Sequence, residues 1–224
     1  MFDKTIRRLT IAATAAIAVS GCADQSDVVP ETPVTTSAEM SVAAQSDLQA
    51  LISPWIATDA PGVSVAVALD GDIIFAEGAG MAELEQGQAI TPDSVFLVAS
   101  VSKQFTAFAT LLLVDDGLIE LDASIRTYIP EFGNYAEPIT VRHLLDHMGG
   151  LRERGTLKIM AGRMADDIQT RTSELNLTLR QNGANFEAGQ RVEYSNTGYA
   201  LLAEIVARES GQSFPDFTRT RIFD

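Results

Sequence analysis

The sequence predicts an α+β fold, with strands gathered near its start and helices filling the remainder. Three observations lead there. Gly62 to Leu69 (GVSVAVAL) is rich in β-branched residues, Asp70-Gly71 is a two-residue hairpin signal, and Ile73 to Ala76 resumes the strand beyond it. Ser100 to Val114 is apolar and helix-friendly, and Asp115-Asp116-Gly117 stops it. Thr197 to Glu209 places Leu201, Leu202, Ile205 and Val206 on one helical face, with Gly211 after it and Ser213 able to cap a final helix.

The intervening elements follow from the same rules. Leu48, Leu51, Ile52, Trp55 and Ile56 have the spacing of one helix face ahead of Pro61-Gly62. Gly78, Gly80 and Gly87 mark bends or close backbone approach after the hairpin. Residues 118–190 hold helical pieces divided by breakers such as Pro130, Gly133, Pro138, Gly149-Gly150 and Gly189, with no clear strand. Two strands and many helices form an unbalanced inventory, because a two-stranded sheet is marginal on its own. The expectation is an N-terminal hairpin plus a helical region, with the C-terminal sheet strands missing.

Composition narrows the class. Of the 224 residues, 46% are hydrophobic and 21% charged, an ordinary globular balance. A formal net charge of −14 argues against a nucleic-acid partner, since neutralising phosphates needs clustered Lys and Arg. The single cysteine cannot form an internal disulfide.

The first residues form a separate unit. Lys4, Arg7 and Arg8 precede an apolar run from Leu9 to Val19, short of the roughly 20 residues that span a membrane. Val19-Ser20-Gly21-Cys22 resembles a bacterial lipobox. The resemblance implies cleavage before Cys22, a lipid on its sulfur, and a location in the bacterial cell envelope, at the outer membrane if the host has one. Residues 1–21 are thus expected to be a lipoprotein signal peptide. Their removal turns 16 basic and 30 acidic residues into 13 and 29, a charge of −16, so the membrane partner is reached through acyl chains rather than a polybasic patch. Residues 22–45 read as a flexible tether of Pro, Thr and Ser, and 46–224 as the folded domain.

Chemistry is suggested by two short patterns. Ser100-Val101-Ser102-Lys103 is an S-x-x-K opening an apolar helix. Residues three apart share a helix face, so the Lys103 ammonium lies one turn along from the Ser100 hydroxyl. The helix N-terminus favours developing negative charge there. Tyr194-Ser195-Asn196, in a loop before a helix, offers a phenol to share a proton with Lys103 and an amide to orient a substrate and the lysine. Taken singly, Ser100 also reads as a helix cap, and the Tyr194 block as a loop tyrosine with a capping asparagine.

Three segments in order carry a family resemblance. Phe96 to Ala107 (FLVASVSKQFTA) is similar to the nucleophile segment of class C beta-lactamases, DD-carboxypeptidases and related esterases, all penicillin-binding-protein-like. His143 to Leu151 (HLLDHMGGL) resembles their H-L-L-x-H-x-x-G-L stretch, and Phe186-Glu187-Ala188-Gly189 with Tyr194 to Tyr199 resembles their second catalytic block. The resemblance implies an α/β sandwich of the beta-lactamase/transpeptidase type. It also implies an acyl-enzyme on Ser100, proton movement by Lys103 and Tyr194, and substrate positioning by Asn196. No cofactor and no metal is implied, and His143 and His147, four apart on a predicted helix, are expected to be structural and hydrogen-bonded near the helix end. Met148-Gly149 stand where Thr-Ser is usual, and Ala188 where Pro is usual. The family's third motif, K-T-G or H-x-G on a strand beside the site, would lie beyond residue 224.

A beta-lactam, a peptidoglycan peptide and a small ester all remain open as substrates. The alternative from another class is a non-catalytic or truncated envelope lipoprotein that retains the fold and binds cell-wall peptides.

Overall fold

The computed structural model describes residues 41–56, 59–163 and 170–224. The expected signal segment, Cys22 and most of the tether lie outside the described residues. The described residues divide into two compact units, one up to Val95 and one from Phe96 onward.

In the first unit, helix α1 spans Val42–Ile52 and starts where the Ser41 hydroxyl accepts a hydrogen bond from the Ala44 N–H. Residues 42–45, expected in the tether, are therefore helical. The cap sets this boundary, and the apolar spacing does not register it. Strands β1 (Val63–Leu69) and β2 (Asp72–Ala79) pair antiparallel, with Val63 opposite Ala79 and Leu69 opposite Asp72. Asp70 at φ 52° and Gly71 at φ 94° form the turn between them, both in the positive region that matches the strands' twist. A second pair, β3 (Met81–Glu83) and β4 (Gln88–Ala89), adds strands to a stretch read as bends or close backbone approach. A two-residue strand has no period to detect. Gly78 allows the chain leaving β4 to lie against β2: a Cβ there would stand 2.5 Å from the Ile90 carbonyl oxygen.

The second unit is helical. One 3₁₀ turn, Ala99–Ser102, precedes α2 (Lys103–Asp115), so the α-helix starts three residues later than expected and Ser100 sits in the lead-in turn. Asp116 and Gly117, at φ 72°, end it as the sequence predicts. Short helices follow: α3 (Ile125–Tyr128), α4 (Val141–Leu145), α5 (Arg154–Met160) and α6 (Arg171–Leu179). Then come α7 (Asn196–Ser210) and α8 (Phe214–Thr218), separated by Gly211 and capped at Ser195 and Ser213.

Helix α7 is the axis of this unit. Its buried Leu201, Leu202, Ile205 and Val206 join Ala109 and Leu113 of α2, Val141 and Leu144 of α4, and Phe132 and Phe217 in one apolar core. Each such side chain, fully buried, contributes about 1.5–3 kcal/mol over leaving it exposed. The packing has a functional consequence. Lys103 is the first residue of α2 and Asn196 the first of α7, so the α2–α7 contact brings two helix N-terminal ends together.

Candidate active site

Ser100 stands on a strained turn. Ala99, just before it, has φ 45°, a region that side chains other than glycine rarely enter. Such strain persists only where surrounding structure imposes it, and it often marks functional sites. Three residues on, Lys103 Nζ donates to Ser100 Oγ at 3.3 Å.

The partners come from the other end of the unit. The Ser195 hydroxyl accepts from the Gly198 N–H at 3.0 Å and so caps α7. That assignment corrects the alternative in which asparagine is the cap. It leaves the Asn196 side chain available, and its Oδ1 accepts from Lys103 Nζ at 2.8 Å. The Tyr194 hydroxyl donates to Ser100 Oγ at 2.7 Å. Lys103 Nζ also lies 4.8 Å from the centre of the Tyr194 ring, within cation–π range. All four residues singled out in the sequence as catalytic or substrate-binding thus form one hydrogen-bonded set. The nearby Lys103 ammonium, and then the Ser100 hydroxyl, hold the Tyr194 phenol below its usual pKa, since both favour the phenolate.

Glu153 escaped the sequence reading, and His147, expected to be structural, joins the set through its hydrogen bond. Glu153 accepts from the Asn196 backbone N–H at 2.9 Å and from Asn196 Nδ2 at 3.0 Å. His147 accepts the Ser195 N–H on Nδ1 at 3.1 Å, and its ring packs against Tyr194 and Tyr199. Burial, then the charge of Lys103, push the His147 pKa down, against a smaller opposing effect of Asp146. The expected helical spacing of the two histidines does not hold, because α4 ends at Leu145 and His147 adopts φ 59°. His143 serves at the start of α4 instead: its Nδ1 accepts from the Thr140 N–H. Among the described residues, no group of three His, Cys, Asp or Glu side chains is placed to hold a metal ion.

An open cleft of about 220 Å³ lies beside Asn196, lined by Glu153, Arg154, Lys158, Arg163 and Glu174. A more apolar cavity among α6, α7 and α8 contains neither Ser100 nor Lys103 nor Tyr194, so the hydrogen-bonded set lies outside it.

The beta-lactamase family model matches residues 46–224. The chain belongs to the beta-lactamase family. It is 32% identical over 161 residues to penicillin-binding protein 4* of Bacillus subtilis, covering 71% of this chain and 35% of that protein. It is 31% identical over 163 residues to a D-aminopeptidase of Brucella ovis, covering 73% and 31%. Among solved structures, the D-amino acid amidase of Ochrobactrum anthropi SV3, complexed with L-phenylalanine, superposes with a TM-score of 0.66 at 32% identity, covering 80% of this chain and 48% of that one. A penicillin-binding protein homologue from Pyrococcus abyssi, described as octameric, gives 0.65 at 29% identity, covering 80% and 42%. The chain spans about a third of the length of the curated relatives and just under half of these solved chains.

Within the family pattern, the departures at Met148 and Gly149 leave the local backbone bonded. The Met148 N–H donates to the His143 carbonyl at 2.7 Å, and the Gly189 N–H to the Met148 carbonyl at 2.9 Å. Gly150, at φ 67°, is the residue this turn requires: a Cβ there would stand 2.3 Å from the Phe186 carbonyl oxygen.

Proposed function

We propose that the chain supplies the nucleophile and proton-transfer half of a serine hydrolase that works through an acyl-enzyme. The observation that carries this reading is the unbroken run of hydrogen bonds Tyr194–Ser100–Lys103–Asn196, in which two of the three bonds join residues 94 and 93 apart in sequence. In the proposed reaction the Tyr194 phenol first gives its proton to solvent, a loss that the lysine charge favours; Ser100 Oγ then bonds to a substrate carbonyl carbon and passes its own proton to the phenolate. Collapse of the tetrahedral adduct breaks the bond to the leaving group, which takes the proton from Tyr194. Water then attacks the ester carbon and passes a proton to Tyr194, which hands it to Ser100 Oγ as the ester bond breaks, so the acid departs and the serine hydroxyl is restored. Lys103 holds the phenolate and the serine oxygen in register throughout. Asn196 has four hydrogen-bonding positions, and the bonds to Lys103 and Glu153 use one acceptor and one donor. The remaining positions suit a substrate amide.

The names of the relatives favour an amide or peptide among the three expected substrates, since one is a D-aminopeptidase and another a D-amino acid amidase. Attachment to the bacterial envelope through Cys22 belongs to the same proposal and rests on the lipobox resemblance. Palmitate labelling in a bacterial host should mark the protein, and Cys22→Ser should abolish the mark; a label that persists in the variant removes the anchor.

The hydrolase reading is tested with a fluorescent penicillin or an active-serine phosphonate. Ser100→Ala should erase covalent labelling and Ser102→Ala should spare most of it. Undiminished labelling of Ser100→Ala would overturn the mechanism.

A further inference from the structure

Asn196 works in this site only if its amide points one way. Lys103 donates and does not accept, so the Asn196 carbonyl oxygen must face it. An asparagine side chain has no intrinsic preference between its two orientations, because oxygen and nitrogen occupy nearly equivalent positions and the surroundings decide. The group that decides here is Glu153. One of its oxygens, Oε2, accepts from the backbone N–H groups of Asn196 at 2.9 Å and Thr197 at 3.4 Å. The other, Oε1, accepts from Asn196 Nδ2 at 3.0 Å. An ionised carboxylate is acceptor-only, so it admits the amide nitrogen and excludes the amide oxygen.

We propose that Glu153 is a positioning residue that sets the orientation of the Asn196 amide and thereby holds Lys103 within reach of Ser100, a role that rests on the serine-hydrolase reading above. Glu153 touches neither Ser100 nor Lys103; it acts through Asn196. Its place is itself fixed. It precedes the first turn of α5, where its carbonyl accepts from the Leu157 N–H. On either side, the Thr197 hydroxyl donates to the Arg152 carbonyl at 2.8 Å and accepts from the Arg154 N–H at 2.7 Å. The start of α5 and the start of α7 are therefore clamped together with the carboxylate between them.

The inference predicts an unusual rescue. In Glu153→Gln the new side-chain oxygen can still accept from the two backbone N–H groups, so the helix end keeps its cap. The new amide nitrogen then faces Asn196 Nδ2, donor against donor. Rotating the Asn196 amide relieves that clash, but turns its N–H groups toward the lysine ammonium. Adding Asn196→Asp removes the conflict, because one carboxylate oxygen can accept from Gln and the other from Lys103.

The test uses the 224-residue chain carrying Glu153→Gln, Asn196→Asp, and both. Phosphonate labelling of Ser100 is followed across pH, the melting temperature is recorded, and the side-chain resonances of Lys103 are read by NMR. The chain has only three lysines, Lys4, Lys103 and Lys158, so Lys103→Arg assigns that signal. Glu153→Gln should slow labelling by about 10²-fold, as expected when a reacting group is misplaced by an ångström. It should also move the Lys103 resonance while leaving the melting temperature close to that of the parent. The double variant should recover most of both. If Glu153→Gln does not fold, faster labelling of the double variant than of Asn196→Asp alone carries the same information. Parent-like labelling and an unmoved Lys103 resonance in Glu153→Gln would overturn the role. If the parent chain takes no label at all, the hydrolase reading fails and the lysine resonance alone decides: moved by Glu153→Gln and restored in the double variant, it supports the positioning of Lys103; unmoved, it overturns it.

Discussion

The two segments that meet at the site are held in very different ways. The Ser100 turn is exposed: Leu97 is 95% accessible, and Phe96, Val98 and Val101 are also on the surface. Its backbone is strained at Ala99, and the Val101 N–H to Val98 carbonyl bond closes the turn. The segment from Glu193 to Tyr199 is fastened at nearly every residue. Glu193 bonds to the His147 carbonyl, Ser195 to the His147 ring, Asn196 to Glu153, Thr197 to Arg152, and Tyr199 to the Leu145 carbonyl. One side of the site is a fixed template, and the other is a strained turn seated on the end of α2. Substitutions in the turn should therefore change chemistry with little effect on stability, whereas substitutions in the template should change both.

The strongest test of that contrast is Lys103→Ala. Labelling of Ser100 should fall by at least about 10²-fold, the low end of what a positioned acid–base group contributes. The urea midpoint should barely move, because Lys103 makes no salt bridge among the described residues and its hydrogen bonds are confined to Ser100 and Asn196. A large loss of stability would show that the turn is as structural as the template.

Thr197→Val probes the opposite side. Thr197 is 1% exposed, and its hydroxyl satisfies both the Arg152 carbonyl and the Arg154 N–H. The valine preserves shape and strands two polar groups, at a cost of about 1–3 kcal/mol by urea unfolding. Labelling should fall as well, because the same clamp carries Glu153. Ser195→Ala should cost less, about 1 kcal/mol, for the lost helix cap on the Gly198 N–H. A neutral result for both would mean that the dense bonding seen here carries little of the unit's stability.

The same contrast explains what the sequence could disclose. Ser100, Lys103, Tyr194 and Asn196 were legible because they occur in patterned blocks with a family resemblance, and α7 because its apolar period, Ser195 and Gly211 agree. The β1–β2 hairpin was legible from the Asp70-Gly71 turn between two β-rich runs. Glu153 was not, since a carboxylate between two arginines carries no spacing signal and its partner lies 43 residues away. The structural role of His147 was legible, but its placement on a helix was not. Four residues from His143 reads as a helical repeat, and nothing local announces that α4 stops at Leu145. Strands β3 and β4 fell below the length at which alternation can be read.

The smallest expected effect is a pH dependence of stability from His147. In the folded chain burial and the Lys103 charge depress its pKa below the ordinary 6.5. The unfolded chain therefore takes up a proton first as the solution is acidified. Stability from this group is fully present above pH 6.5 and declines as the pH falls below it, because the unfolded state then binds more protons. Carboxylates held down by arginine, such as Glu131 beside Arg208, contribute at a lower pH, because their ordinary value is near 4.5. The two windows are separable. His147→Asn is the informative variant, since asparagine tolerates the positive φ of 59° and its side-chain oxygen can still accept from the Ser195 N–H. The melting temperature of the parent should drop between pH 7 and 5, and that of His147→Asn should drop less. Parallel curves for the two proteins would show that His147 is held by shape alone, and that the template on which Tyr194 rests is indifferent to the charge of the ring beneath it.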